Sequence, residues 1–356
     1  MSVSAFQHPF LSGLVGDDET AEVFSVKAEI DAMLAFEASL ARAQAACGLI
    51  PGEAAELITE VSRVFEPDMA QLRMGTGRDG VVVADLVKQL RAAVEKQAGS
   101  ADAAKHVHFG ATSQDVIDTA LVLRLKRAGN IFIDRMLSVE AQFAEVDAKY
   151  GSRALMGHTR MQAAIEIRVS DRLRAWSEPL TRHRDRLVAI VGTGLPVQFG
   201  GAAGTLERLG DKAAAVREAL AKELQLTDAL QWQSQRDRLV DLAGVLTLIT
   251  GTLGKFGQDV ALLAEMGGEI VLAGGGGSSA MAHKQNPVAA EALVALARFN
   301  AVQVSGMQQS MVHEQERSGA AWTLEWLLLP PMVMATGASL RLAMELVGNI
   351  KSIGRA

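Results

Sequence analysis

The sequence predicts an all-α fold, an elongated bundle of long helices, and three observations predict it. Of the 356 residues, 49% are hydrophobic but only 4% aromatic. The apolar mass is therefore Ala, Leu, Val, Ile and Met, which suits helices packed closely side by side. Helical periodicity dominates, and no run alternates with the two-residue period of strands. Several periodic stretches exceed the usual helix length of a globular domain, so each needs partner helices along its whole extent.

In chain order, Ile30, Met33, Leu34, Glu37 and Leu40 outline an amphipathic helix ending near Gly48. Pro51-Gly52-Glu53 opens another, with proline early, as helix starts prefer. A loop over 74–80 leads into a helix over 81–97, and a second loop, 99–113, is rich in Gly, Ser and His. From Gln114 to about Tyr150 the chain reads as one helix, with Ile117, Leu121, Ile131, Val139, Phe143 and Val146 on or near one face. Residues 151–161 interrupt it, and a helical stretch then runs to about Ile190. A Gly-rich segment, 192–204, and a short helix precede a second long helix over 235–270. The loop 273–287 contains GGGGSSAMAHKQNP. A third long helix covers 288–312, and a fourth runs from Trp322, bent at Pro330-Pro331. Residues 1–110 are expected to form an N-terminal helical domain and 111–356 the central long-helix bundle.

Composition narrows the function. A net charge of −6 without a long basic run argues against nucleic acid. The opening MSVSAFQHPF lacks the basic and apolar regions of a secretory signal, so a cytoplasmic protein is expected. Cys47, the only cysteine, sits among Ala45, Ala46 and Leu49 and reads as core. No nucleotide loop, Cys-rich set or HExxH is present, so no cofactor and no metal is expected. Mean hydropathy is +0.16, high for a soluble monomer. The longest apolar runs, 242–254 and 326–340, stop at Lys255 or break at Pro330-Pro331, short of the roughly 18 uninterrupted residues of a spanning helix. Burial of helix sides against copies of the chain is therefore expected, rather than a membrane.

The chemistry concentrates in loops. Gly274 to Gly277 leave the backbone unusually free, and Ser278, Ser279, His283, Lys284 and Asn286 follow before Pro287. A mobile loop offering hydroxyls, an ammonium and an amide is what a lid closing over an anionic substrate requires; the alternative is a solvated linker. Thr112 and Ser113 precede the first long helix, where hydroxyls and free N–H groups receive an anion. A plain N-cap by Ser113 is the alternative there.

These segments resemble the fumarase/aspartase superfamily. Gly277-Ser278-Ser279-Ala280-Met281-Ala282-His283-Lys284-Gln285-Asn286-Pro287 is similar to its loop G-S-S-x-M-P-x-K-x-N-P, with Ala282 replacing proline. The resemblance implies that Ser278 handles the carbon-bound proton, while Ser279, Lys284 and Asn286 hold substrate. His106-Val107-His108-Phe109-Gly110-Ala111-Thr112-Ser113-Gln114-Asp115 is similar to the family's first shared segment, which implies carboxylate binding by Thr112 and Ser113 beside His108. Gly157-His158-Thr159-Arg160-Met161-Gln162 resembles G-R-T-H-x-Q with histidine and arginine exchanged. Either His158 reaches the proton-relay point, with Gln162 binding substrate, or His108 takes the relay. Further pieces, including Gln198-Phe199-Gly200-Gly201-Ala202, Gln235-Arg236-Asp237-Arg238-Leu239 and His313-Glu314-Gln315-Glu316-Arg317-Ser318, resemble the cycloisomerase branch; adenylosuccinate lyases share some of them.

That branch implies closure of 3-carboxy-cis,cis-muconate to a carboxylated muconolactone, a reverse β-elimination with an internal carboxylate as the group that adds. Arg236 and Arg317 are candidates for the remaining carboxylates. For Arg236 a helix-surface ion pair with Asp237 or Asp241 is the alternative. The resemblance further implies a small polycarboxylate as substrate and a homotetramer whose sites are shared between subunits. The resemblance also implies that a chain ending at Ala356 lacks most or all of the family's usual C-terminal domain, either as a short form or as a piece of a longer protein, and that its site is then more open on one side. Two other functions stand beside this one: a fumarate-releasing, adenylosuccinate lyase-like elimination, and a non-catalytic helical scaffold.

Overall fold

The computed structural model describes residues 4–277 and 285–355. Helices α1 (Ser12–Val15), α2 (Asp18–Val23), α3 (Val26–Ala46), α4 (Gly52–Val64), α5 (Met69–Asp79) and α6 (Val83–Ala98) come first. Helix α3 starts where the Ser25 hydroxyl accepts from Ala28 N–H, and Pro51 serves as the N-cap of α4. Residues 74–79, expected as loop, belong to α5. Asp68 caps that helix through the N–H groups of Ala70 and Gln71, and Gly80, at φ 73°, ends it. Gly75, a loop signal in sequence, is there for packing: a Cβ would stand 2.8 Å from the Asp85 carboxylate.

Helix α7 (Ser113–Tyr150) has 38 residues and spans about 57 Å at the usual helical rise. It frames the bundle with α8 (Val169–Ala189), α10 (Asp237–Met266), α11 (Val288–Gln309) and α12 (Gly319–Gly348); the shorter α9 (Ala213–Glu223) packs on α3. Helix α12 runs through Pro330 and Pro331. The Phe143, Trp176 and Phe256 rings pin α7, α8 and α10 together at centroid distances of 5.0 to 6.1 Å. Glycines inside α10 have a packing cause: Cβ atoms at Gly254 and Gly257 would lie 2.5 Å from Ala297 Cβ and 2.6 Å from the Ala290 carbonyl of α11. A second core joins α3, α4 and α6 to the first turns of α7 and to Val197, Phe199 and Trp322.

Residues 162–168, expected as helix, form a strand instead. Strands β1 (Ala154–Thr159) and β2 (Gln162–Arg168) make an antiparallel hairpin. Its turn, Arg160 and Met161, has φ of 47° and 63°, the two left-handed residues that match the twist of paired strands. Strand β3 (Ile270–Leu272) pairs with β6 (Ile350–Ile353), and β4 (Gly276–Gly277) with β5 (Gln285–Asn286).

These contacts orient the bundle. Asp118 of α7, Arg236 before α10 and Glu325 of α12 meet at one end. Tyr150 donates to the Lys351 carbonyl, and β3 meets β6, at the other. Helices α7, α10 and α12 therefore run parallel, with α8 and α11 returning between them. We call the end where α7 begins the near end and the other the far end. By length and composition α10, α11 and α12 are each apolar enough to cross a membrane, more than the uninterrupted runs indicated, since those ended at a lysine or a proline pair. Other parts of the chain cover 61% and 67% of the apolar windows of α10 and α12, but only 28% of that of α11.

Candidate active site

The near end is built around the loop that enters α7. Three side chains from the N-terminal helices hold its backbone or its histidine: Gln44 donates to the Phe109 carbonyl (2.6 Å), Arg91 to the Val107 carbonyl (2.9 Å), and Glu37 meets His108 Nδ1 at 2.6 Å. His108 has φ 61°. Burial opposes its charge, but the Glu37 carboxylate, by charge and hydrogen bond, raises its pKa above the ordinary histidine value. Thr112, not Ser113, is the N-cap of α7, and Ser113 is the first helical residue. Both stand half-buried at the helix N-terminus, where unpaired N–H groups and the dipole favour an anion.

Asp115 locks this corner. Its Oδ1 accepts from Gln198 Nε2 (3.0 Å) and Gly200 N–H (2.9 Å), its Oδ2 from Gly201 N–H (2.9 Å) and Thr112 N–H (3.0 Å). Complete burial pushes its carboxyl up to about 6 despite those four donors. Next to it Gln114 donates to Asp118 and to the Gln233 carbonyl, and its own oxygen accepts from Arg317 Nε at 2.9 Å. Arg317 also donates to the Ala202 carbonyl, so two bonds aim this exposed guanidinium over the helix start.

Arg236 departs from the sequence reading. Expected to bind substrate, it is 1% exposed. Its guanidinium donates to both carboxylate oxygens of Asp118 (2.6 and 3.1 Å) and both of Glu325 (2.9 and 2.6 Å), and stacks over Trp232. Four of its five N–H groups are thus spent inside the protein, and none of its partners is Asp237 or Asp241. Burial disfavours charge on Arg236 and Glu325 alike, but their pairing outweighs it, raising the arginine pKa and lowering that of Glu325. Trp322 Nε1 adds a donor to Asp118. The His313 ring is buried 3.5 Å from Glu325.

His158, Gln162 and Asn286 lie at the far end. His158 and Gln162 are exposed on the β1–β2 hairpin, and the His158 ring meets the Met156 carbonyl at 3.2 Å. Asn286 ends β5 beside a cleft of about 530 Å³ lined by Gly276, Gln285, Arg341, Glu345 and Asn349. Ser278, Ser279 and Lys284 lie outside the described residues. A mainly apolar cavity of about 530 Å³ also lies between α3, α5, α7 and α12, bounded by Met33, Leu72, Leu121 and Trp326. Among the described residues no cluster of His, Cys, Asp and Glu is placed to hold a metal.

The structure thus brings His108, Thr112, Ser113 and Arg317 together at the near end, and His158, Gln162 and Asn286 at the far end, some 57 Å of helix away. Sequence reasoning did not single out Glu37, Asp115, Asp118 or Glu325 as site-building residues. For Glu37 a signal existed: it is a carboxylate on the same helical stripe as Met33, Leu40 and Gln44, where an apolar side chain belongs.

Known proteins fall in line with this architecture. The family described as Lyase matches residues 15–306. The 3-carboxy-cis,cis-muconate cycloisomerase of Acinetobacter baylyi is 37% identical over 341 residues, 94% of this chain and 75% of that relative. The enzyme of the same name from Pseudomonas aeruginosa is 40% identical over 334 residues, 92% of this chain and 72% of its own length. The crystal structure of the 3-carboxy-cis,cis-muconate lactonizing enzyme from Pseudomonas putida superposes with a TM-score of 0.90 at 35% identity, covering 96% of this chain and 77% of that one.

Proposed function

The chain belongs to the Lyase family, matched over residues 15–306, and from that premise we propose that it closes 3-carboxy-cis,cis-muconate to a carboxylated muconolactone. The observation that carries this reading is the 37–40% identity to cycloisomerases across 92–94% of the chain.

In the reaction one substrate carboxylate oxygen forms a bond to an alkene carbon. The displaced electron pair moves into a second carboxylate conjugated with that alkene, giving an aci-carboxylate. Protonation at carbon then completes the lactone, with no atom lost and no redox change. Catalysis requires fixed positive groups where the extra negative charge develops. The N-terminus of α7, the hydroxyls of Thr112 and Ser113, the His108 imidazolium and the Arg317 guanidinium supply them at the near end. Lys284, Ser279 and Asn286 add an ammonium, a hydroxyl and an amide, and Gln162 a second amide. Ser278 gives the proton to carbon, with His158 as its relay partner. Arg236 stays outside this list; it braces Asp118 and Glu325 behind Gln114.

A site drawing on both ends needs a second copy, because one chain holds them at opposite ends of α7. Antiparallel pairing lays the far end of one copy on the near end of another. The exposed side of α11, with Val302 at 69% exposure, and Leu327 of α12 at 67%, offers the apolar surface for that pairing. A homotetramer with shared sites is the assembly we propose.

The test is direct. Purified protein mixed with 3-carboxy-cis,cis-muconate is expected to bleach the diene absorbance and yield the lactone by NMR. Turnover of adenylosuccinate with none of the muconate would move the assignment to a fumarate-releasing lyase. Inertness to both would leave a scaffold.

A further inference from the structure

Glu37 is a poor residue for stability where it stands. It is 1% exposed on the inner face of α3, its Oε1 meets only His108, and its Oε2 is buried without a hydrogen-bond partner among the described residues. A buried carboxylate so sparsely paired bears a desolvation penalty that one contact offsets only in part, and that a methionine or leucine there would avoid. Its single contact is with a histidine that has an unusual backbone. His108, at φ 61°, occupies the left-handed region that non-glycine residues seldom adopt. The carbonyls on either side of it are pinned by Arg91 and Gln44. The ring is 14% exposed, Nδ1 is fixed on Glu37, and among the described residues Nε2, across the ring, has no partner.

Building on the proposed substrate site, we propose that Glu37 is a positioning residue. It holds His108 Nδ1–H so that a charged Nε2–H donor is presented, in one tautomer and one direction, to a carboxylate of the substrate. Glu37 touches no substrate; it acts through His108. The charged groups facing the ring are Glu37 from α3, Asp115 from α7 and Arg91 from α6. Burial and Arg91 oppose the imidazolium, and the two carboxylates support it. The sign follows: a raised histidine pKa keeps the donor charged above 6.5, and polyanion binding is lost as pH rises through the raised value. Without the Glu37 charge, burial acts on the ring unopposed by its main partner, and the loss moves to lower pH.

The experiment uses the full chain and a non-reacting planar probe, benzene-1,2,4-tricarboxylate, with affinity measured by calorimetry from pH 6 to 9. Histidine NMR in the absence of probe follows His108, assigned by the peak missing in His108→Gln. Glu37→Gln is expected to lower the His108 titration midpoint and to weaken the probe about tenfold between the variant and wild-type midpoints, one charge-assisted hydrogen bond, with little change at pH values below both midpoints. Glu37→Asp, which keeps the charge, restores part of the affinity, and it carries the test should the glutamine variant not fold. An unchanged His108 midpoint in Glu37→Gln overturns the proposal, and so does equal loss of affinity at every pH. A probe that never binds the wild-type chain overturns it too. Failure of the muconate to turn over, with the probe arms as expected, refutes the proposed reaction and leaves the Glu37–His108 pairing standing.

Discussion

The two ends of the bundle hold their polar groups in opposite ways. At the near end much of the polar network is buried and internally paired: Asp115 accepts from Thr112, Gln198, Gly200 and Gly201, and Arg236 spans two carboxylates. At the far end His158 and Gln162 ride on an exposed hairpin, and Asn286 sits at the foot of a glycine-rich strand pair. On the proposed site, near-end substitutions touch packing and chemistry together, whereas the exposed His158 and Gln162 contribute little to packing. Mutations at the two ends should therefore separate stability from activity.

The largest effect is expected from Arg236→Met. Removing the cation leaves Asp118 and Glu325 buried without it, a loss of about 3–5 kcal/mol in unfolding free energy. Denaturant titration measures it. A loss below about 1 kcal/mol would mean that the network is hydrated and the near end no stiffer than the far one.

Asp115→Asn comes next. An amide nitrogen has to face either the donors from Gln198 and Gly200 or those from Gly201 and Thr112, so one pair meets another donor, at about 1–3 kcal/mol. This variant also carries a pH signature. The Asp115 carboxyl is raised from 3.8 to about 6 in the folded state. The stability it contributes is thus fully present below 3.8 and lost as pH rises through about 6. Unfolding measured across that window should slope downward in wild type and more shallowly in the asparagine variant. Equal slopes would show that the carboxyl is not shifted.

Between the ends, the comparison becomes a test of assembly. Thr112→Ala, a near-end lesion, and Ser278→Ala are each expected to lose turnover of the muconate. Unfolded and refolded together, they should recover about a quarter of wild-type activity by random pairing, since in about one site in four the near end comes from a Ser278→Ala chain and the far end from a Thr112→Ala chain. No recovery, in mixtures shown by mass to contain both chains, would place the whole site within one chain.

Much of this was legible in the sequence, and the illegible part has a physical cause. The long helices could be read because a 3.6-residue period repeated over 38 residues is unmistakable in α7. Helix α5 could not, because Gly75, Gly77 and Gly80 mimic a loop; the Asp68 cap was a local helix signal, but the reason for Gly75, packing against Asp85 of the next helix, shows only in the fold. Strand β2 was hidden because Gln162 to Arg168 is too short to set one period against another, and its partner lies across a turn whose two left-handed residues are not glycines. The motifs marked His108, Thr112, Ser113 and Arg317, which gather at the near end. They gave no hint that Arg236 faces inward, since its partners Asp118 and Glu325 are 118 and 89 residues away.

The smallest effect belongs to the far end and is the sharpest test of the comparison. His158 is exposed, and its one hydrogen bond is to the Met156 carbonyl two residues away. Deleting an exposed ring of this kind changes stability by less than about 0.5 kcal/mol. His158→Ala should therefore melt with wild type, while its turnover of the muconate falls if the ring relays the Ser278 proton. Arg160 and Met161 provide the control on the same hairpin. Replacing them with Asn-Gly keeps the left-handed turn, relieves two non-glycine residues of positive φ and stabilises by up to about 1 kcal/mol. An Asn-Gly variant at full activity beside an inactive, equally stable His158→Ala would assign the far end's contribution to the imidazole. Loss of activity in both would extend the far end's contribution to the Arg160 or Met161 side chain.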